Sequence, residues 1–323
     1  MCDFLNLAAL CRGRHVYIQT HNFPDPDAIA SAFGLQGLLS RYEDIQTTLC
    51  YDGEIDKLSA QKMLDAFQIR MHPYAQLRER MTAEDYIVCV DTQKHGGNVT
   101  DLVGEEVACI DHHPTFAAVE YRYKDIRILG ACATIITQYY QQLCRQPDQD
   151  TATALLYGLK MDTLQFTRGV TKADIDAFSY LLPLCDQEKL TRLERNNLEF
   201  QDLKAYGAAI ESIEIYGTVG FSSIPFPCPD AMIGILADFI LSLDEVEVAI
   251  VYAHREDGIK FSIRSEDPRV HAGEVIHRAL KEWGNGGGHA AMAGGLIHRD
   301  KIHLLGFHPQ NVIRETFLRC MGR

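Results

Sequence analysis

Among ten cysteines no two stand in a CxxC pair, and nowhere in the 323 residues is there an apolar run long enough to span a bilayer. The cysteines are scattered, which excludes a dense disulfide framework; Cys89 and Cys109 fall inside apolar, strand-like runs and read as buried thiols. The first residues carry no signal-peptide pattern, so the expected compartment is a reducing cytoplasm, with no membrane partner. Positive charge is also in deficit. Lys and Arg number 31 against 44 Asp and Glu, a net charge of -13, which excludes a protein that coats long or duplex nucleic acid. Short phosphorylated molecules stay open as substrates, because bound cations invert the local field. There is neither internal repeat nor low-complexity tract, and 46% hydrophobic with 23% charged residues is ordinary globular composition. The length allows two domains, each with its own core.

What is present is a series of acid and histidine clusters beside short apolar runs. They are His21-x-x-x-Asp25-x-Asp27, Asp91 after Tyr86-Ile-Val-Cys-Val, Asp111-His112-His113 after Val107-Ala-Cys-Ile, and Asp162 in Gly158-Leu-Lys-Met-Asp. Taken singly, each has a bland reading. Asp25 and Asp27 suit a helix cap and first turn, Asp91 suits a strand-end turn, and Asp162 alone means little. Paired histidines after an aspartate are rarer, and the four clusters together fit a pair of divalent cations clamping a phosphate.

Strand and helix patterns alternate through the first half. Strands are expected at 16–20 and 45–50 and in two runs ending at Asp91 and Asp111. Helices are expected at 26–40, 55–67, 131–143, 151–157 and 171–182. Pro26 suits a first helical turn, Asp25 its cap, and Thr171 with Asp174 a capping box. Near-continuous apolar strands between helices predict an α/β fold, a parallel sheet with helices on both faces and ligands beyond the strands' carboxyl ends. The pattern changes near Arg195. A catalytic domain at 1–195, a helical connector at 196–210 and a smaller α/β domain at 211–323 are expected, with a cleft between the domains. The second domain reads as a strand at 213–221, a helix at 231–243 capped by Asp230, strands at 246–252 and 259–264, and a helix at 272–283.

The spacing assigns the ligands. Asp25 and Asp27 flank one residue, so each can face a different ion, with His21 completing the first site. Asp91 can bridge both ions, Asp162 can close the second site, and one imidazole of the His112-His113 pair can bind metal while its neighbour orients it or meets the phosphate. Four carboxylates roughly neutralise two divalent ions, and the mixed oxygen and nitrogen donors favour Mn2+, with Mg2+, Co2+ or Fe2+ open. Gly286-Gly287-Gly288 before His289 reads either as a flexible linker or as a loop whose N–H groups approach an anion. Arg264 offers a planar fork for phosphate or serves as an ordinary exposed strand arginine, and Ser262, Asp238, Lys160 and Arg168 are weaker candidates.

These motifs resemble the DHH phosphoesterase superfamily, whose name-giving triplet stands here as Asp111-His112-His113. The first motif matches His21-Asn-Phe-Pro-Asp-Pro-Asp-Ala, the second Val90-Asp91-Thr92 and the fourth Asp162-Thr163. The C-terminal half is similar to the DHH-associated substrate domain through Phe261-Ser-Ile-Arg-Ser and Gly284-Asn-Gly-Gly-Gly-His289. Pro26 stands where many relatives have glycine or another small residue, a subgroup difference at a position that tolerates proline. The resemblance implies a metal-dependent hydrolase in which His112 is a ligand, Asp111 supports it and His113 lies near the scissile phosphate. It implies that Arg264, Ser262, the glycine run and His289 hold the rest of the substrate. The architecture is similar to stand-alone nanoRNases that degrade short oligoribonucleotides and dephosphorylate 3′-phosphoadenosine 5′-phosphate. Cleavage of cyclic di-AMP or of its linear product pApA is the alternative, and a non-catalytic nucleotide sensor is the alternative of another class. A homodimer is one assembly compatible with this reading.

Overall fold

Six short strands in the first 126 residues line up side by side and in the same direction. In the computed structural model, which describes residues 4–115, 117–195 and 198–323, they are β1 (His15–Gln19), β2 (Gln46–Tyr51), β3 (Met71–Pro73), β4 (Tyr86–Val90), β5 (Glu105–Asp111) and β6 (Tyr123–Ile126). The sheet order is β3-β2-β1-β4-β5-β6, and every pairing is parallel. The chain runs outward from β1 to β3, returns across β1, and runs outward again from β4 to β6. The crevice between the carboxyl ends of β1 and β4 is therefore the switch point at which such sheets bind ligands.

Among the described residues, eight α-helices belong to this unit: α1 (Phe4–Cys11), α2 (Pro26–Leu39), α3 (Leu58–Phe67), α4 (Tyr74–Leu77), α5 (Cys132–Gln142), α6 (Gln149–Asp162), α7 (Lys172–Leu181) and α8 (Gln187–Glu194). Asp25 caps α2 by accepting from the N–H groups of Asp27 and Ala28, and Pro26 opens its first turn. One face of the sheet packs on α2, α5 and α6 through Ile29, Leu35, Leu38, Ile135, Ile136, Leu155 and Leu156, each fully buried and each contributing about 1.5–3 kcal/mol of transfer free energy. A smaller cluster (Tyr17, Cys50, Ile87, Cys89 and Cys109) fills the other face, closed by Leu77 of α4 with Met81 and Leu102. The capping box of Thr171 and Asp174 is present at the start of α7.

The chain divides into two compact units, Met1–Asn197 and Leu198–Arg323. Residues 196 and 197, where the connector was expected to begin, lie outside the described residues. The second unit holds α9 (Asp202–Glu211), β7 (Glu214–Tyr216), β8 (Val219–Ile224), α10 (Asp230–Leu241), β9 (Val248–His254), β10 (Gly258–Ser265), α11 (Ala272–Leu280), β11 (Gly284–Gly288), β12 (Met292–His298) and α12 (Pro309–Cys320). Its mixed sheet has the order β11-β12-β10-β9-β8-β7, with only β8 and β9 parallel.

Three local expectations are corrected. The single strand expected at 213–221 is a hairpin, because Gly217 turns the chain at φ +63° between β7 and β8. Asp230 is the first residue of α10 and not its cap; its carboxylate is drawn to Arg255 and to Lys260, whose Nζ lies 2.7 Å away. The glycine run is not an open loop. Gly286, Gly287 and Gly288 pair with Gly295, Gly294 and Ala293 as an edge strand, and a Cβ on Gly286 would lie 2.9 Å from the Ile276 side chain of α11. Close helix packing accounts for that glycine.

No helix among the described residues is long and apolar enough to cross a membrane.

Candidate metal centre

Three loops at the carboxyl ends of β1, β4 and β5 meet the end of α6. His21 follows β1, Asp91 follows β4 and Asp111-His112-His113 closes β5. Asp162, which follows an apolar run, is the last residue of α6. It reaches the others because Gly158, one turn earlier, lets α6 lie against the start of α2; a Cβ there would stand 2.8 Å from the Ala30 methyl and 3.0 Å from the Pro26 carbonyl.

The donor atoms form three overlapping groups, His21, Asp25 and Asp91 in one, Asp91, His112 and His113 in another, and Asp27, His112 and Asp162 in the third, the atoms of each group within 4.8 Å of one another. Asp91 is shared by the first two. Its Oδ2 is 3.6 Å from His21 Nε2, while its Oδ1 is 3.2 Å from His112 Nε2 and 3.8 Å from His113 Nδ1. His112 Nε2 also lies 3.2 Å from Asp162 Oδ2 and 3.9 Å from Asp27 Oδ2. Asp91 adopts φ +59°, a left-handed conformation that aspartate tolerates better than most residues, with its N–H held by the Ile110 carbonyl at 2.9 Å.

Hydrogen bonds behind the donors select their tautomers. His21 Nδ1 lies 2.8 Å from the Asn22 carbonyl and His112 Nδ1 lies 3.0 Å from the Leu129 carbonyl. A carbonyl only accepts, so Nδ1 carries the proton on both rings and each Nε2 is turned to the carboxylates. Asp111 is differently employed. Its Oδ1 accepts from the His112 N–H at 2.8 Å and from His113 Nδ1 at 2.9 Å, and its Oδ2 accepts from Gln93 Nε2 at 2.7 Å. Asp111 therefore orients the two histidines. Asp27 accepts from the N–H groups of Cys132 and Ala133 at 2.7 and 2.9 Å, so the first turn of α5 fixes its carboxylate.

The electrostatics are those of crowded acids. Burial opposes charge on His112, but Asp91, Asp27 and Asp162 override it and push the imidazole up to about 11. His21 is likewise pushed up to about 9, burial being outweighed by Asp25 and Asp91. Burial and then the charge of Asp25 raise Asp162 to about 6, and burial with the charges of Asp91 and Asp162 drives Asp27 well above the usual carboxylate range. Buried Asp91 Oδ1 and His112 Nε2 make no hydrogen bond in acceptable geometry. Two orphaned buried atoms among convergent carboxylates and imidazoles fit a cation.

Of the weaker candidates, Arg168 donates to the Asp162 carbonyl at 2.7 Å, whereas Lys160 pairs with Glu194. Gln93, Leu129 and Lys57, whose Nζ is 4.0 Å from Asp25 Oδ2, were not singled out in the sequence, since neither an amide nor a backbone carbonyl carries a motif. In the second unit, Arg264 Nε is bound to Asp238 Oδ1 at 2.6 Å and its Nη1 to Ser262 Oγ at 2.9 Å, so its fork is partly occupied. His289 sits in the turn after β11, its carbonyl accepting from the Gly273 N–H at 3.0 Å.

Residues 15–159 match the DHH family, N-terminal domain, and residues 218–305 match the DHHA1 domain. An uncharacterised protein of Methanocaldococcus jannaschii is 29% identical over 87% of this chain and 57% of its own length. A cyclic-di-AMP phosphodiesterase of Geobacillus thermodenitrificans is 25% identical over 86% of this chain and 44% of its own. The chain thus spans about half the length of these two curated relatives. An exopolyphosphatase-related protein of Bacteroides fragilis shares the fold, with a TM-score of 0.77 at 17% identity over 98% of this chain and 96% of that one. The chain joins a DHH family N-terminal domain to a DHHA1 domain.

Proposed function

We propose that this protein is a metal-dependent phosphoesterase that hydrolyses short oligoribonucleotides or dinucleotides such as pApA to mononucleotides, and also accepts 3′-phosphoadenosine 5′-phosphate. The observation that carries the reading is the pair of unpartnered buried atoms, Asp91 Oδ1 and His112 Nε2, at the junction of these carboxylate–imidazole groups. In this reading His21, Asp25 and Asp91 hold one divalent ion, and Asp27, Asp91, His112 and Asp162 hold a second. Manganese suits the mixed donors, with Mg2+, Co2+ or Fe2+ as substitutes. Two such ions supply an activated water and charge stabilisation on the phosphate.

The chain's own side chains do the rest. His113 is locked through Nδ1 to Asp111, its ring stays 44% exposed, and although burial disfavours its charge, Asp111 and Asp91 raise its pKa. Protonated, this partly exposed ring would be placed to donate to a phosphoryl oxygen as negative charge develops. Lys57 and Arg168 border the donors and offset phosphate charge. Arg264, with Ser262, Gly286, Gly287, Gly288 and His289, is the proposed substrate-binding set of the second unit. The expected setting is the cytoplasm, where the nine cysteines among the described residues remain free thiols.

Cyclic di-AMP is the second reading, favoured by the named activity of the Geobacillus relative. The test is a panel of pApA, longer oligomers, cyclic di-AMP and 3′-phosphoadenosine 5′-phosphate, each with Mn2+ and with chelator. Release of AMP from pApA only with metal supports the proposal. Fast cleavage of cyclic di-AMP with slow pApA turnover favours the second reading, and tight binding without turnover of any member would make the protein a sensor.

A further inference from the structure

We infer that Phe23 is the nucleobase platform of this site, a specificity residue that stacks the base of the nucleotide being cleaved. The inference rests on the nucleotide reading above and deepens it. An exposed phenylalanine by itself means nothing. Phe23 is unusual in three respects. It lies in the six-residue loop 20–25 between β1 and α2, two residues after His21 and two before Asp25. Its backbone stands at φ +59°, a conformation that bulky side chains seldom adopt. The residue is 55% exposed and belongs to none of the hydrophobic clusters.

The surroundings hold that conformation in place. The Phe23 N–H donates to the Asp52 carbonyl at 3.3 Å and the Asn22 N–H to the Asn98 carbonyl at 2.7 Å. Asn22 Nδ2 donates to Thr100 Oγ1 at 3.0 Å, the Thr100 N–H returns to Asn22 Oδ1 at 3.3 Å, and Thr100 Oγ1 donates to Asp52 Oδ2 at 2.7 Å. Beneath the ring lies Gly53, itself at φ +79°, where a Cβ would stand 3.2 Å from two ring carbons. The ring therefore lies against Gly53, while more than half of the residue stays exposed. An exposed aromatic on a pinned backbone, in the loop that carries His21 and Asp25, suits the π-face that every base offers. Inorganic pyrophosphate and polyphosphate have no such group. Base–aromatic stacking of this kind tolerates any base.

The experiment compares metal-loaded wild type with Phe23→Ala, Phe23→Trp and Phe23→Tyr on pApA and on analogues in which either adenine is replaced by hydrogen. The expected result is that Phe23→Ala lowers the preference for pApA over one abasic analogue by about tenfold, chiefly through KM, and that Phe23→Trp restores it. An unchanged preference, or an equal loss on all substrates, overturns the inference. If wild type hydrolyses neither pApA nor its analogues, the dinucleotide reading fails. Stacking is then read at equilibrium, from quenching of a 2-aminopurine dinucleotide. Quenching in wild type that is lost in Phe23→Ala upholds the platform, and equal signals in the two proteins overturn it.

Discussion

Asp91 Oδ1 lies 3.2 Å from His112 Nε2, yet neither buried atom makes a hydrogen bond of acceptable geometry. Left unpaired, such atoms cost about 1–3 kcal/mol each, and more when charged. They are tolerable where a cation joins them. Because Asp91 also faces His21, it is the residue through which the donor groups of His21 and His112 communicate.

Asp91→Ala is therefore expected to lower metal stoichiometry by at least one ion per chain and turnover by about 10³-fold or more, the loss typical of removed transition-state stabilisation and beyond. Metal analysis by plasma emission with paired kinetics decides it. Unchanged stoichiometry with near-normal rate would sink the bridging assignment.

The two adjacent histidines should separate. His112→Ala removes a donor whose Nδ1 is already bound to Leu129 and should reduce metal occupancy. His113→Ala should keep the metal and lose about 10²–10³ in kcat, because it removes charge stabilisation without removing a ligand. The reverse pattern would mean that the two roles are exchanged.

Metal-free protein should lose stability as pH rises. His21 and His112 are pushed up to about 9 and about 11, above the value near 6.5 of an unfolded histidine. Their contribution is fully present below about pH 6.5 and is lost as pH climbs through the folded values. Asp162, raised to about 6, has finished titrating before that window. Tm of chelated protein should accordingly fall between pH 7 and 9, whereas metal affinity should rise, since binding expels those protons. A flat Tm across the window contradicts the assignment.

Gly158→Ala tests how Asp162 is positioned. The new methyl gains about 1 kcal/mol in helix propensity, but overpacking against Ala30 and the Pro26 carbonyl costs about 1–3 kcal/mol. The expected outcome is a lower Tm together with weaker binding of one ion in a manganese titration. A stabilised variant with unaltered titration would show that the close approach of α6 to α2 is not needed.

Arg264→Ala should raise KM for a dinucleotide about tenfold, the loss of one charge-assisted contact, while metal stoichiometry holds. Because Asp238 already occupies Arg264 Nε, Asp238→Ala should affect KM less than Arg264→Ala does. If the two variants behaved alike, the ion pair would matter for structure and not for substrate.

Much of the first unit was legible because its signals are local. The apolar runs at 86–90 and 107–110 could only be buried strands, Asp25 and Pro26 mark a helix start, and Asp111-His112-His113 announces its chemistry in three adjacent letters. The elements of the first unit that went unread, α1, β3, α4, β6 and α8, have little of their own to declare: β3 has three residues, α4 has four, and α1 carries no acidic first turn or basic last turn. Sequence by itself thus determined which residues supply the donors, since carboxylates and imidazoles must be encoded one by one. Only the tertiary structure decided how they are shared. It brings Asp162 in from a helix end and adds Gln93 to Asp111 behind the histidines. It also turned the glycine run into a strand. Those outcomes depend on parallel strand order, on a glycine-permitted helix contact and on backbone carbonyls, which are distances between residues far apart in the chain and leave no mark in local spacing.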